Sequence, residues 1–127
     1  MTIAPREEVE EFVRATFRSV WALELLCLLR NNRDRSLSHR EMVDALRASD
    51  FVVSRSLDNL SAMGLVSRDE DGSARYSPAR GDADRLVALT EDLYGKSPNA
   101  VRRIIALAAN PGLAAFADAF RLRKDDK

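Results

Sequence analysis

A single cysteine, Cys27, excludes an intramolecular disulfide, and with only one histidine, His39, the chain lacks the donor set of a structural zinc site. No metal or other cofactor is therefore expected. Five glycines and four prolines are too few for a low-complexity or turn-dominated chain. Charge of one sign is missing as well: 20 basic residues stand against 20 acidic ones, for a net charge of zero. That balance argues against a nucleic-acid coat protein or a polybasic membrane binder, both of which carry an excess of positive charge. The longest apolar run, around Val20–Leu29, is too short to span a bilayer. A signal peptide does not fit either, because five charged side chains precede Phe12. A cytoplasmic protein with no membrane partner is the expectation. Gly-rich phosphate loops and the HExxH pattern are absent, and Cys27 and His39 lie far apart without a helpful context, so an enzyme is not expected.

What is present is helical spacing. A chain of 127 residues fits a single domain, 1–127, and its apolar residues, with 46% of the composition, recur at the helical period. Pro5 to about Phe17 reads as an amphipathic helix with Glu7, Glu8, Glu10 and Glu11 near its positive end and a thin stripe of Val9, Phe12 and Val13. Such a stripe packs either on a second subunit or on its own domain. Phe17 to Asn31 is the most hydrophobic stretch and should be central. Within it Glu24 reads as a surface residue on the polar side, with a buried carboxylate as the alternative. Cys27 reads as an inert core thiol, with a redox sensor as the alternative.

Ser38-His39-Arg40-Glu41 is a capping box, Ser38 at N-cap and Glu41 at N3, opening a short helix to about Arg47 with Met42, Val43 and Leu46 inward. Ser49 or Asp50 caps a second helix after a brief turn, and two short helices so joined form a helix-turn-helix unit. In that second helix Val53, Leu57 and Leu60 share one face, leaving Val52, Arg55 and Asn59 free for a partner. Gly64 stops it. Leu65–Arg68 and Ala74–Ser77 are strand candidates around a glycine-containing turn from Asp69 to Ser73. Beyond a linker at Ser77–Gly81, Asp82 should cap a helix to about Tyr94. Ser97 and Pro98 then start another helix carrying Val101, Ile104, Ile105 and Ala108. A last stripe has Leu113, Phe116, Ala117 and Phe120, followed by a charged end expected to be disordered.

At VSRSLDNLSAMGLVSRDEDGSARY the sequence resembles the winged helix-turn-helix regulators of bacteria, in particular the MarR type. Ser54, Arg55, Leu57 in a slightly shifted core, Leu60, Gly64, Leu65, Val66 and Arg68 occupy the places of that pattern. The resemblance covers about Trp21 to Ser77. ArsR-like and PadR-like proteins share much of it, so the subfamily stays open, and no metal-binding set of the ArsR kind is present. The implied fold is mainly α with a small β-hairpin: an N-terminal helix in 1–20, a winged helix-turn-helix core at 21–77, and C-terminal helices at 82–122. The implied function is sequence-specific recognition of double-stranded DNA by a homodimer, often a repressor, cytoplasmic and nucleoid-associated when bound. Surplus apolar stripes at both ends fit dimerisation through terminal helices, with folding back on the same subunit as the alternative.

In that reading, helix 50–63 enters the major groove. Val52 meets a thymine methyl, and Arg55 a guanine or phosphate. Ser49, Ser54, Ser56 and Asn59 add hydrogen bonds to phosphates or base edges. Ser38, His39 and Arg40 hold backbone phosphates, and Arg68 and Arg75 flank the groove. A small-molecule effector is open, with Trp21, Glu24, Phe51 and Tyr94 as residues that line its pocket or else belong to the core. One departure stands out: the turn of the hairpin reads Asp69-Glu70-Asp71-Gly72, acidic where a minor-groove wing presents cations. From Arg30 to Arg80, nine arginines face eight acidic residues. A protein-interaction module of the same fold that does not use DNA is therefore the competing expectation.

Overall fold

The computed structural model describes residues 5–110. In order these form α1 (Pro5–Thr16), α2 (Val20–Asn31), α3 (His39–Leu46), α4 (Asp50–Ala62), β1 (Val66–Arg68), β2 (Ala74–Tyr76), α5 (Gly81–Lys96) and α6 (Pro98–Ala109). The chain is thus mainly helical with one small antiparallel hairpin, as its periodicity predicts. The stripe expected at Leu113, Phe116, Ala117 and Phe120, and the charged end, lie outside the described residues.

Helix α2 is the centre of the packing. Ala22, Leu23, Leu25, Leu26 and Leu29 are buried and meet Val53, Leu57 and Leu60 of α4. The helix begins at Val20 and not at the expected Phe17, because the Ser19 side chain accepts from the Ala22 amide at 3.2 Å and caps it. Phe17 instead closes the end of α1, edge-on to Phe12 with ring centroids 6.0 Å apart. Trp21 departs from the expected core role: it is 42% exposed, since α2 carries more apolar residues than its inward face can hold.

Around this centre the elements are tied by polar as well as apolar contacts. The Tyr76 hydroxyl of β2 donates to Asp84 of α5 at 2.5 Å. Arg30 of α2 reaches Glu91 of α5 at 2.9 Å, and Asn31 donates to the same carboxylate at 2.7 Å. Glu24 accepts from the Tyr94 hydroxyl, so it is half-buried and partnered, between the two readings its sequence allows. Helix α1 packs against α5 and α6 of its own chain, burying Val9 and Val13 together with Val101 and Ile105. Its narrow stripe is covered within the subunit.

Two helix starts differ from expectation. Helix α5 opens at Gly81 with Arg80 in the cap position, without a side-chain cap bond, in place of an Asp82 cap. Ser97 does precede Pro98 at the head of α6, but its hydroxyl makes no capping bond. The hairpin pairs Val66 with Tyr76, Ser67 with Arg75 and Arg68 with Ala74. Leu37, between α2 and α3, adds a pairing that the sequence does not signal: its amide and carbonyl exchange hydrogen bonds with Ala74, both 2.9 Å. A single extended residue thereby joins the hairpin.

Candidate nucleic-acid interface

The two short helices are set by their caps. At α3 the Ser38 hydroxyl accepts from the Glu41 amide at 3.1 Å and the Glu41 carboxylate accepts from the Ser38 amide at 2.8 Å, completing the expected box. The hydrogen bond from the Ser38 backbone, with Arg35 beside it, holds the Glu41 carboxyl below the usual range. Helix α3 ends at Arg47, whose φ of 55° is left-handed and turns the chain sharply without a glycine. Ser49 then accepts from the Val52 amide at 3.1 Å and caps α4. The two helix starts lie side by side: His39 Nε2 is 3.1 Å from Asp50 Oδ1.

Helix α4 presents its outer face through Phe51, Arg55, Asp58 and Ala62, which are exposed. Phe51, expected to line a pocket or join the core, is 68% exposed, and the Arg55 guanidinium carbon sits 5.5 Å from its ring centroid. Val52 and Ser54 are half-buried on the shoulders of this face. Two residues expected on it are withdrawn from it. Ser56 is buried beside Leu57, and Asn59 is turned inward. The Asn59 amide donates to the Thr16 carbonyl and accepts from the Arg18 amide, both at 2.9 Å, because the corner between α1 and α2 leaves two backbone groups that need a partner. A shallow hollow of about 320 Å³ beside Arg55 is lined by Arg18, Ser19, Asp58, Asn59 and Ala62 as well.

Gly64, at φ +73°, ends α4 in a conformation a side chain would strain, and hands the chain to β1. Along the hairpin Arg68 and Arg75 are exposed, as expected at its base. They differ in pairing. Arg68 binds Asp58 of α4 at 2.6 Å, whereas Arg75 has no ion pair among the described residues. The tip is compact: Asp69 donates its amide to the Ser73 carbonyl at 2.8 Å, and Asp71 accepts from the Ser73 amide at 3.0 Å. That backbone hydrogen bond holds the Asp71 carboxyl below its usual range. Gly72 lies against His39, where an added Cβ would come within 3.8 Å of the His39 Cβ. The acidic turn therefore sits next to the start of α3.

Of the expected set, Arg40, Ser49, Arg55, Arg68 and Arg75 are exposed and Ser38, His39, Val52 and Ser54 half-buried; contacts bring His39 to the start of α4 and Arg68 to its outer face. Arg40 is exposed on α3 and, among the described residues, pairs with Asp44 on its own helix at 3.3 Å. Sequence reasoning passes over Arg47 and takes Phe51 for a pocket or core residue; an Arg at a left-handed turn has no pattern to mark it, and an apolar residue at a helix start reads as core. A larger cleft, about 860 Å³, opens elsewhere, between α1, the end of α4 and the start of α5. Phe12, Met63, Leu65 and Leu86 form its apolar wall, and Glu7, Glu8, Glu11 and Arg80 its rim. None of Trp21, Glu24, Phe51 and Tyr94, the residues expected at an effector pocket, lines it. Among the described residues no group of His, Cys, Asp and Glu is arranged to hold a metal, and no helix is long and apolar enough to cross a membrane. Comparison of the chain with protein-family models, curated proteins and solved structures gives no match.

Proposed function

We propose that this chain is a sequence-specific double-stranded DNA-binding transcriptional regulator of the winged helix-turn-helix, MarR-like type, acting as a homodimeric repressor. The observation that carries the reading is the pairing of Leu37 with Ala74. It supports a connectivity of helix, short strand, two helices and hairpin, with α4 as the reading helix and the hairpin as the wing. Arg55 and Arg75 supply cations not neutralised by a described carboxylate, and Arg40 lies at the margin for phosphate contact. A single short helix covers few base pairs, so a two-fold pair of subunits reading two half-sites belongs to the proposal. We assign any small-molecule effector to the cleft under α1.

Selection of duplexes from a random library by the full chain, followed by titration at several salt concentrations, tests this. The expected result is an enriched motif with a steep negative salt slope. Arg55→Ala should cost about 1–3 kcal/mol on that motif if the side chain pairs with a base. No motif and a flat salt response would overturn the proposal.

A second reading, a winged-helix module that binds protein and not DNA, is favoured by two observations. The turn of the hairpin carries Asp69, Glu70 and Asp71, and Arg68 is already taken by Asp58. Loss of DNA binding at every salt concentration would favour it.

A further inference from the structure

Phe51 is the most exposed large apolar side chain described, at 68%, and it stands in the first turn of α4, where the core has no use for it. Arg55, one turn on, lies over its ring at 5.5 Å. The carboxylate best placed on the same helix to capture Arg55 is Asp58, three residues away, and Arg68 holds that carboxylate at 2.6 Å. Arg55 makes no ion pair among the described residues, so the ring is what orders its guanidinium. An aromatic face beside an ordered, unneutralised guanidinium is matched by two features of a major-groove edge. Apolar side chains meet the C5-methyl of thymine, and arginine forks onto O6 and N7 of guanine. Successive turns of a helix are about 5.4 Å apart and bases along a strand about 3.4 Å, so two such side chains stand between one and two base steps apart, and a guanidinium drawn toward the ring takes the nearer step.

We propose that Phe51 and Arg55 act as one reading unit, in which Phe51 covers a pyrimidine C5-methyl group and holds Arg55 on the adjacent guanine. Phe51, and not Val52, is the methyl-reading residue. The inference rests on the DNA-binding reading above and adds to it the chemistry of one base step.

The test uses the full chain and a duplex enriched from a random library. Each thymine of the motif is replaced in turn by deoxyuridine, which removes only the methyl group, and affinity is read by fluorescence anisotropy. At one position next to a guanine the wild type should lose about fourfold, the factor that one buried methyl group is worth. Phe51→Ala should bind the thymine and deoxyuridine duplexes equally, while Phe51→Leu keeps part of the difference. Arg55→Lys should lose the neighbouring guanine preference and retain the methyl response. Thermal melting of Phe51→Ala should match the wild type, since the side chain is exposed, so a lost methyl response is not a folding defect. An enriched motif with no methyl effect, or a methyl effect that survives in Phe51→Ala, overturns this inference and leaves the DNA-binding reading standing. No enriched motif and a flat salt response overturn both.

Discussion

Asn59 donates its side-chain amide to the Thr16 carbonyl while its oxygen accepts from the Arg18 amide, both at 2.9 Å, so one residue of α4 closes the corner between α1 and α2. The carbonyl belongs to the last turn of α1 and the amide to the residue before the Ser19 cap. Neither is a group that its own helix can satisfy. Asn59→Ala should therefore destabilise the chain by about 1–3 kcal/mol, the cost of leaving buried backbone groups unpaired. Urea denaturation checks this. A loss well under 1 kcal/mol would mean that water replaces the amide. Duplex binding by the folded fraction should change little, because both polar ends of the side chain are taken by the corner between α1 and α2.

The Asp58–Arg68 pair makes the opposite prediction. Both side chains are partly exposed, at 66% and 37%, so the pair contributes little to stability. Asp58→Asn removes the competitor for Arg68 and one negative charge from the proposed DNA-facing surface. Affinity for duplex should rise, and the salt slope should steepen by about one. Parallel titrations at two salt concentrations measure it; weaker binding would count against Arg68 as a phosphate contact.

Tyr76 and Asp84 give stability a pH dependence on two flanks. The hydrogen bond from Tyr76, with Arg30 adding to it, holds the Asp84 carboxyl below its ordinary value. That contribution is present above the unfolded value, about 3.9, and is lost as pH falls through the lower folded one. Burial, and then Asp84, push the Tyr76 phenol up. Its contribution is complete below the unfolded value near 10 and is lost as pH rises through the folded one. Denaturation midpoints should fall at both ends. Asp84→Asn should flatten the acid flank and Tyr76→Phe the alkaline one.

Cys27 should behave as an inert thiol. Burial first, and then Glu91 and Glu24, push it up to about 12, so almost no thiolate exists at neutral pH. Reaction with a thiol reagent at pH 8 should be slow in the native protein and fast in denaturant. Rapid native labelling would restore the redox-sensor reading.

What the sequence makes legible follows from how local the signal is. The capping box at Ser38 and Glu41, the stop at Gly64 and the stripe of Val53, Leu57 and Leu60 each depend on residues within two turns, and all appear as expected. Leu37 has no such signal, because one extended residue has no period, and its partner Ala74 is distant in the chain. Asn59 misleads for a related reason: a polar residue off the apolar stripe reads as surface unless the backbone groups it satisfies are known. Phe51 misleads in the other direction, since hydrophobicity alone cannot say that the core is already full. At the candidate site, the arginines were legible as cations, but which were already neutralised was not. Arg68 and Arg75 look alike in sequence and differ only in that Asp58 lies within reach of one.

The Leu37–Ala74 pairing also has a mechanical consequence. These antiparallel residues clasp the base of a loop that holds α3, α4 and β1. Tension drawn from the upstream side meets the clasp before it meets α3, whereas from the downstream side it first meets the bonds of Ala79 and Ser77 to Gly64 and Leu65 and the pairing of Tyr76 with Val66. Because the strands are antiparallel, the incoming and outgoing chain leave the clasp at the same end. Its two hydrogen bonds would then open one after the other, like a zip, and would not share the load. Stretched from its two sides, the protein would shed the hairpin pairs from the downstream end first, and α3 would come under load only after the clasp had parted.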